Sequence, residues 1–96
     1  MTMKVQPAIA ADDAVATRVL HILRDVAGDD EVLADPELSL YGSGLLDSLA
    51  TVTLMVELEQ QLGVRVSPAE FDREAWATPR ALVMDVTERL ARAGRR

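Results

Sequence analysis

The sequence predicts an all-α domain, a small four-helix bundle of three longer helices and one short helix with a long loop between the first and second. Three observations predict it. Three stretches repeat apolar residues at helical spacing, each is bounded by recognisable start or stop residues, and the alternating Val64-Arg65-Val66 is too short for more than a connector. Ninety-six residues make one domain. With Phe71, Trp76 and Tyr41 as the sole aromatics, its core must be aliphatic.

Residues 1–10 have no periodicity and read as a flexible tail, with the folded domain over 11–93 and a frayed end at 94–96. Asp12 and Asp13 can cap the first helix, whose Val15, Val19, Ile22, Leu23 and Val26 share a face and which stops near Gly28. Residues 28–46 form the long connection. It contains Pro36 and three glycines, yet keeps supplying Leu33, Leu38, Leu40, Leu45 and Leu46, as a loop pinned across the core would.

The second helix runs from Leu49 to Leu62 and is stopped by Gly63; Asp47 and Ser48 are both N-cap types at its start. At about 100° per residue, Thr51, Leu54, Met55, Leu58 and Leu62 fall on one side, which is enough for a core stripe. Leu49, Val52 and Val56 fall on another, beside Ser48 and near Glu59 and Gln60. That surplus strip is a candidate docking surface, although Val52 could equally pack under the loop. Val64-Arg65-Val66 is a connector. Ser67-Pro68-Ala69-Glu70 reads as a capping box opening the short helix through Phe71 to about Arg73. Thr78-Pro79 opens the last helix, with Leu82, Val86 and Leu90 on one face.

Composition excludes several functions. There is no cysteine, hence no disulfide, thiolate metal site or internal thiol nucleophile. His21 is the single histidine, which removes multi-histidine zinc sites and leaves a Ser-His-Asp hydrolase dependent on His21 reaching Ser48. No apolar run approaches the roughly 20 residues that span a bilayer. The N-terminus does not resemble a secretory signal, so a soluble, cytoplasmic, monomeric protein is expected. Residues 25–74 hold twelve acids against Arg65 and Arg73, a local net charge of −10 within an overall −6. Such a middle repels nucleic acid and anionic lipid and suits partners that present basic patches.

The most informative stretch is Gly44-Leu45-Leu46-Asp47-Ser48-Leu49. It sets a serine at a helix N-terminus, where unpaired N–H groups and the positive end of the helix dipole favour a phosphate. From about Val15 to Leu90 the chain resembles the acyl and peptidyl carrier proteins. Within them it is most similar to D-alanyl carrier proteins, which serve teichoic acid esterification. The resemblance rests on Leu45-Leu46-Asp47-Ser48, on Leu58-Glu59-Gln60-Gln61-Leu62-Gly63, and above all on Phe71-Asp72-Arg73-Glu74-Ala75-Trp76-Ala77-Thr78-Pro79.

The resemblance implies a carrier-protein bundle with no catalytic residues and no metal site of its own. It implies a 4′-phosphopantetheine arm, moved from coenzyme A to the Ser48 hydroxyl by a phosphopantetheinyl transferase. Asp47 would serve recognition by that transferase. Leu49, Val52, Val56, Glu57 and Glu59 would meet successive partners: a loading adenylation enzyme or ligase, then an acyltransferase or synthase. Thr53, Gln60 and Gln61 are uncharged where fatty-acid carriers have a denser acid row, which argues against a fatty-acid synthase. Lys4 is the sole lysine beside nine arginines, a composition that suggests a high-GC genome. On that ground the expected setting is a discrete aminoacyl carrier in polyketide or nonribosomal natural-product assembly. D-alanylation of teichoic acid is the alternative, and an unmodified acidic adaptor docking through Leu49, Val52 and Val56 the second alternative.

Overall fold

The computed structural model describes residues 10–93. Among them lie four α-helices, α1 (Ala10–Ala27), α2 (Glu31–Ala34), α3 (Ser48–Leu62) and α4 (Pro79–Ala93), with a 3₁₀ helix at Arg73–Trp76 and no strand. The expected tail, Ala10 aside, and the expected frayed end at 94–96 lie outside the described residues. Helix α1 already includes Ala10, so Asp12 and Asp13 fall within its span; their side chains, and with them the expected cap, lie outside what is described.

Helix α1 is the centre of the bundle, packing against α3 on one side and α4 on the other. Its Val19, Ile22 and Leu23 are buried with Leu54, Met55 and Leu58 of α3 and Leu82 and Val86 of α4. These are the stripes that periodicity singled out, and their side chains exclude water from an almost wholly aliphatic interior. Gly63 closes α3 in a left-handed conformation (φ 72°), where a side chain would be strained, and its N–H returns to the Glu59 carbonyl. Thr78 caps α4 by accepting the Ala81 N–H at 3.1 Å, with buried Pro79 in the first helical position.

The short elements differ from expectation. Ser67 accepts the Ala69 N–H at 3.2 Å and the chain makes one turn there, but Asp72 is extended and the capping box does not propagate. Asp72, five residues after Ser67, instead caps the 3₁₀ helix, accepting the Glu74 N–H at 3.0 Å. The reason is packing: this placement buries Trp76 with Phe71 edge-on to it at 5.0 Å. The Trp76 indole N–H donates to Asp85 Oδ2 at 2.8 Å, and Arg89 Nε holds the same oxygen at 2.8 Å. The connector also contributes to the core, since Val64 and Val66 are both buried.

The long loop contains a helix that the sequence reading left out. Asp29 accepts the Glu31 N–H at 2.8 Å, Arg24 bridges Asp25 and Asp30, and the resulting turn, α2, buries Val32. Leu33 therefore faces outward and is not one of the pinning leucines. Leu40 and Leu46 are: both are fully buried, and backbone bonds from Leu40 N–H to the Ala77 carbonyl and from Leu46 N–H to the Leu40 carbonyl (2.9 Å each) fix the loop. Arg80 adds a backbone bond to Pro36 and an ion pair to Glu37. The loop thus delivers residues 44–47 to one defined place at the start of α3.

Candidate functional site

Gly44 turns the chain with φ 86°, Leu46 anchors it in the core, and Asp47 is extended (φ −127°, ψ −170°). That conformation makes Asp47, not Ser48, the N-cap of α3. Its carboxylate Oδ1 accepts the Ala50 N–H at 2.8 Å and its carbonyl accepts the Thr51 N–H at 2.8 Å. Ser48 is consequently the first helical residue. Its side chain is exposed, and among the described residues no hydrogen bond engages its hydroxyl. The neighbouring cap removes the ordinary structural use for a serine at this position.

The surroundings suit an anion. Asp47 satisfies the N–H groups of Ala50 and Thr51 but not those of Ser48 and Leu49, which have no partner among the described residues. These two donors lie at the positive end of the α3 dipole, beside the Ser48 side chain. The arrangement can hold a phosphoester on Ser48 Oγ. It offers no base to activate that oxygen: His21 is exposed on α1 and makes no hydrogen bond to Ser48 among the described residues.

Leu49, Val52 and Val56 are 76%, 51% and 45% exposed, so α3 presents an apolar strip that the core does not use. Val52 therefore does not pack beneath the loop. Glu59 borders the strip on the Ser48 side and pairs with Arg65 at 3.2 Å. Glu57 is placed differently. It is half-buried, accepts a hydrogen bond from Gln61 at 2.9 Å, and faces a cleft toward Ile22, Asp25 and Val26 of α1. At about 100° per residue it lies some 200° around the helix from Glu59.

Sequence reasoning missed the support behind the cap. Tyr41 reaches from the loop to Thr51 Oγ1 at 2.8 Å, and Arg73 lies over the Tyr41 ring with its guanidinium carbon 4.5 Å from the centroid. The available signal was Thr51 itself, a polar residue on a stripe otherwise filled by Leu and Met.

A family model described as phosphopantetheine attachment site matches residues 17–86. The chain is similar to a D-alanyl carrier protein of Enterococcus faecalis, 52% identical over 68 residues that cover 71% of this chain and 87% of the relative. It is likewise similar to proteins of that name from Lacticaseibacillus casei, 44% identical over 78 residues (81% and 96%), and from Listeria monocytogenes serotype 4a, 43% over 70 residues (73% and 90%).

Proposed function

The chain belongs to the phosphopantetheine attachment-site family, and from that premise we propose that it is a D-alanyl carrier whose 4′-phosphopantetheine arm is borne by Ser48. It is a carrier protein and not an enzyme, and its cofactor is covalent 4′-phosphopantetheine. The observation that supports Ser48 as the attachment point is its free, exposed hydroxyl at the first position of α3, next to two unpaired N–H groups. The arm supplies a terminal thiol on which an acyl group rides as a thioester, a group the cysteine-free chain does not provide.

This chain's own residues bind and orient. Asp47 fixes the start of α3 by capping it and leaves its second carboxylate oxygen free for recognition by the phosphopantetheinyl transferase. Leu49, Val52 and Val56, with Glu59 at their margin, form the surface that the transferase, a loading D-alanine-activating ligase and a downstream acyltransferase would meet in turn. Glu57 stands at the far margin of the helix and would touch only a partner broad enough to reach the α1 side. No described helix is long and apolar enough to cross a membrane. As part of the same proposal, the carrier acts as a monomer in the cytoplasm.

Composition leaned toward natural-product assembly, but the curated relatives are D-alanyl carriers, which favours D-alanine as cargo and teichoic acid as its destination. The test is intact mass after incubation with coenzyme A, magnesium and a broad-specificity phosphopantetheinyl transferase, followed by ATP, a D-alanyl ligase and either enantiomer of alanine. One arm is expected on the wild type, none on Ser48→Ala, and D-alanine is added in preference to L-alanine. A folded wild type that takes no arm alongside a working control carrier would return the protein to the adaptor reading.

A further inference from the structure

Among the described residues Thr51 is the buried polar side chain of the core. A valine would fill the same space without requiring partners, and a buried hydroxyl left unpaired is costly. The Thr51 hydroxyl is instead engaged twice, 2.7 Å from the Asp47 carbonyl oxygen and 2.8 Å from the Tyr41 hydroxyl. Proton counting sets the direction. A threonine has one hydroxyl proton, and a carbonyl can only accept it, so Tyr41 must be the donor in the other contact. The chain of bonds runs from Tyr41 O–H to Thr51 Oγ1, and from Thr51 O–H to the Asp47 carbonyl.

That carbonyl belongs to the peptide joining Asp47 to Ser48, which is planar and rigid. Holding its oxygen holds the Ser48 nitrogen and Cα as well. Tyr41 is itself held, since its ring is half-buried against the core and capped by the Arg73 guanidinium. Arg73 has no ion-pair partner among the described residues, so its contact with the ring does not compete with a carboxylate. The loop, the first turn of α3 and the segment before Trp76 thus meet one helical turn from Ser48.

We propose that Tyr41 and Thr51 are positioning residues for the modification of Ser48: their hydrogen-bond relay fixes the Asp47–Ser48 peptide so that the serine hydroxyl enters the transferase in one orientation. This rests on Ser48 being the attachment site. The relay lies off the exposed Leu49–Val52–Val56 strip, so its loss affects orientation after docking and leaves docking itself intact.

The experiment measures kcat and KM for arm transfer from coenzyme A to the full chain by a phosphopantetheinyl transferase. Wild type, Tyr41→Phe, Thr51→Val, Thr51→Ser and the Tyr41→Phe/Thr51→Val double variant are compared. Amide hydrogen exchange at Ala50 and Thr51, whose N–H groups are bonded to Asp47, is followed in the same proteins. A net hydrogen bond is worth roughly two- to ten-fold in an equilibrium. Tyr41→Phe and Thr51→Val are therefore expected to lower kcat by about that factor, with KM within about two-fold. Exchange at Ala50 and Thr51 should quicken while α1 and α4 stay protected. Thr51→Ser keeps the hydroxyl and should transfer at the wild-type rate, and the double variant should be no slower than Thr51→Val. Wild-type kcat in folded Tyr41→Phe and Thr51→Val, an effect confined to KM, or fully additive losses would each overturn the proposal. Failure of the wild type to take an arm would overturn the function proposed for Ser48 instead, and with it the purpose assigned to the relay.

Discussion

Replacing Asp47 separates the two tasks assigned to its carboxylate. In the structure Oδ1 accepts the Ala50 N–H at 2.8 Å, which is the side-chain cap of α3. Asp47→Ala removes that acceptor and leaves the N–H to water at an exposed position, for which the cost is about 1 kcal/mol. In a domain of this size that lowers Tm by roughly 4–8 °C. Asp47→Asn keeps an amide oxygen at the same place and loses only the attraction of a negative charge to the helix N-terminus, about 0.3–1 kcal/mol at the surface. The expected stability order is wild type, then Asn, then Ala, read from urea denaturation followed by far-UV circular dichroism. Arm transfer should follow a different order: if the free carboxylate oxygen is what the transferase recognises, Asn and Ala are both strongly impaired even though Asn remains capped. Equal destabilisation by Asn and Ala would refute the capping argument. Rapid arm transfer to Asp47→Asn would refute the role of the charge.

Three further outcomes follow from the same geometry. Trp76→Phe takes the indole donor away from Asp85, a charge-assisted bond worth about 1.5–3 kcal/mol, and leaves a smaller ring in a closed site. It should lower the urea midpoint measurably by circular dichroism, and an unchanged midpoint would mean that the Trp76–Asp85 bond contributes nothing. Leu49→Ala, at a side chain 76% exposed, should change stability by less than about 0.5 kcal/mol while raising the KM of the transferase or ligase several-fold; an unaltered KM would take Leu49 out of the docking surface. Glu59→Lys replaces the exposed Arg65 pair by a repulsion of similarly small stability cost, so helicity should hold while transfer slows, and transfer at the wild-type rate would remove Glu59 from the margin of that surface.

Local chemistry written in consecutive residues determined much of this protein. The apolar stripes of α1, α3 and α4 were legible because a helix that must bury one face repeats at a fixed spacing, whatever it packs against. Gly63 as the stop of α3 and Thr78-Pro79 as the start of α4 were legible because caps act within one turn. The serine was found through the same local logic together with the resemblance carried by the segment from Phe71 to Pro79.

Tertiary structure decided the remainder. Asp47 and Ser48 are equally good caps in sequence, and the choice between them fell to buried Leu46, which sets where the loop hands over to α3. The short helix expected after Ser67 gave way to a 3₁₀ helix at Arg73–Trp76, because a weak local cap is outweighed by closing Trp76 into the core. Helix α2 exists because Val32 finds a buried site, and a four-residue helix has too little intrinsic stability to announce itself. The Tyr41–Thr51–Asp47 relay depends on the chain folding back so that residues ten apart in sequence come within 2.8 Å, a distance set by the core beneath them and not by any neighbouring residue type.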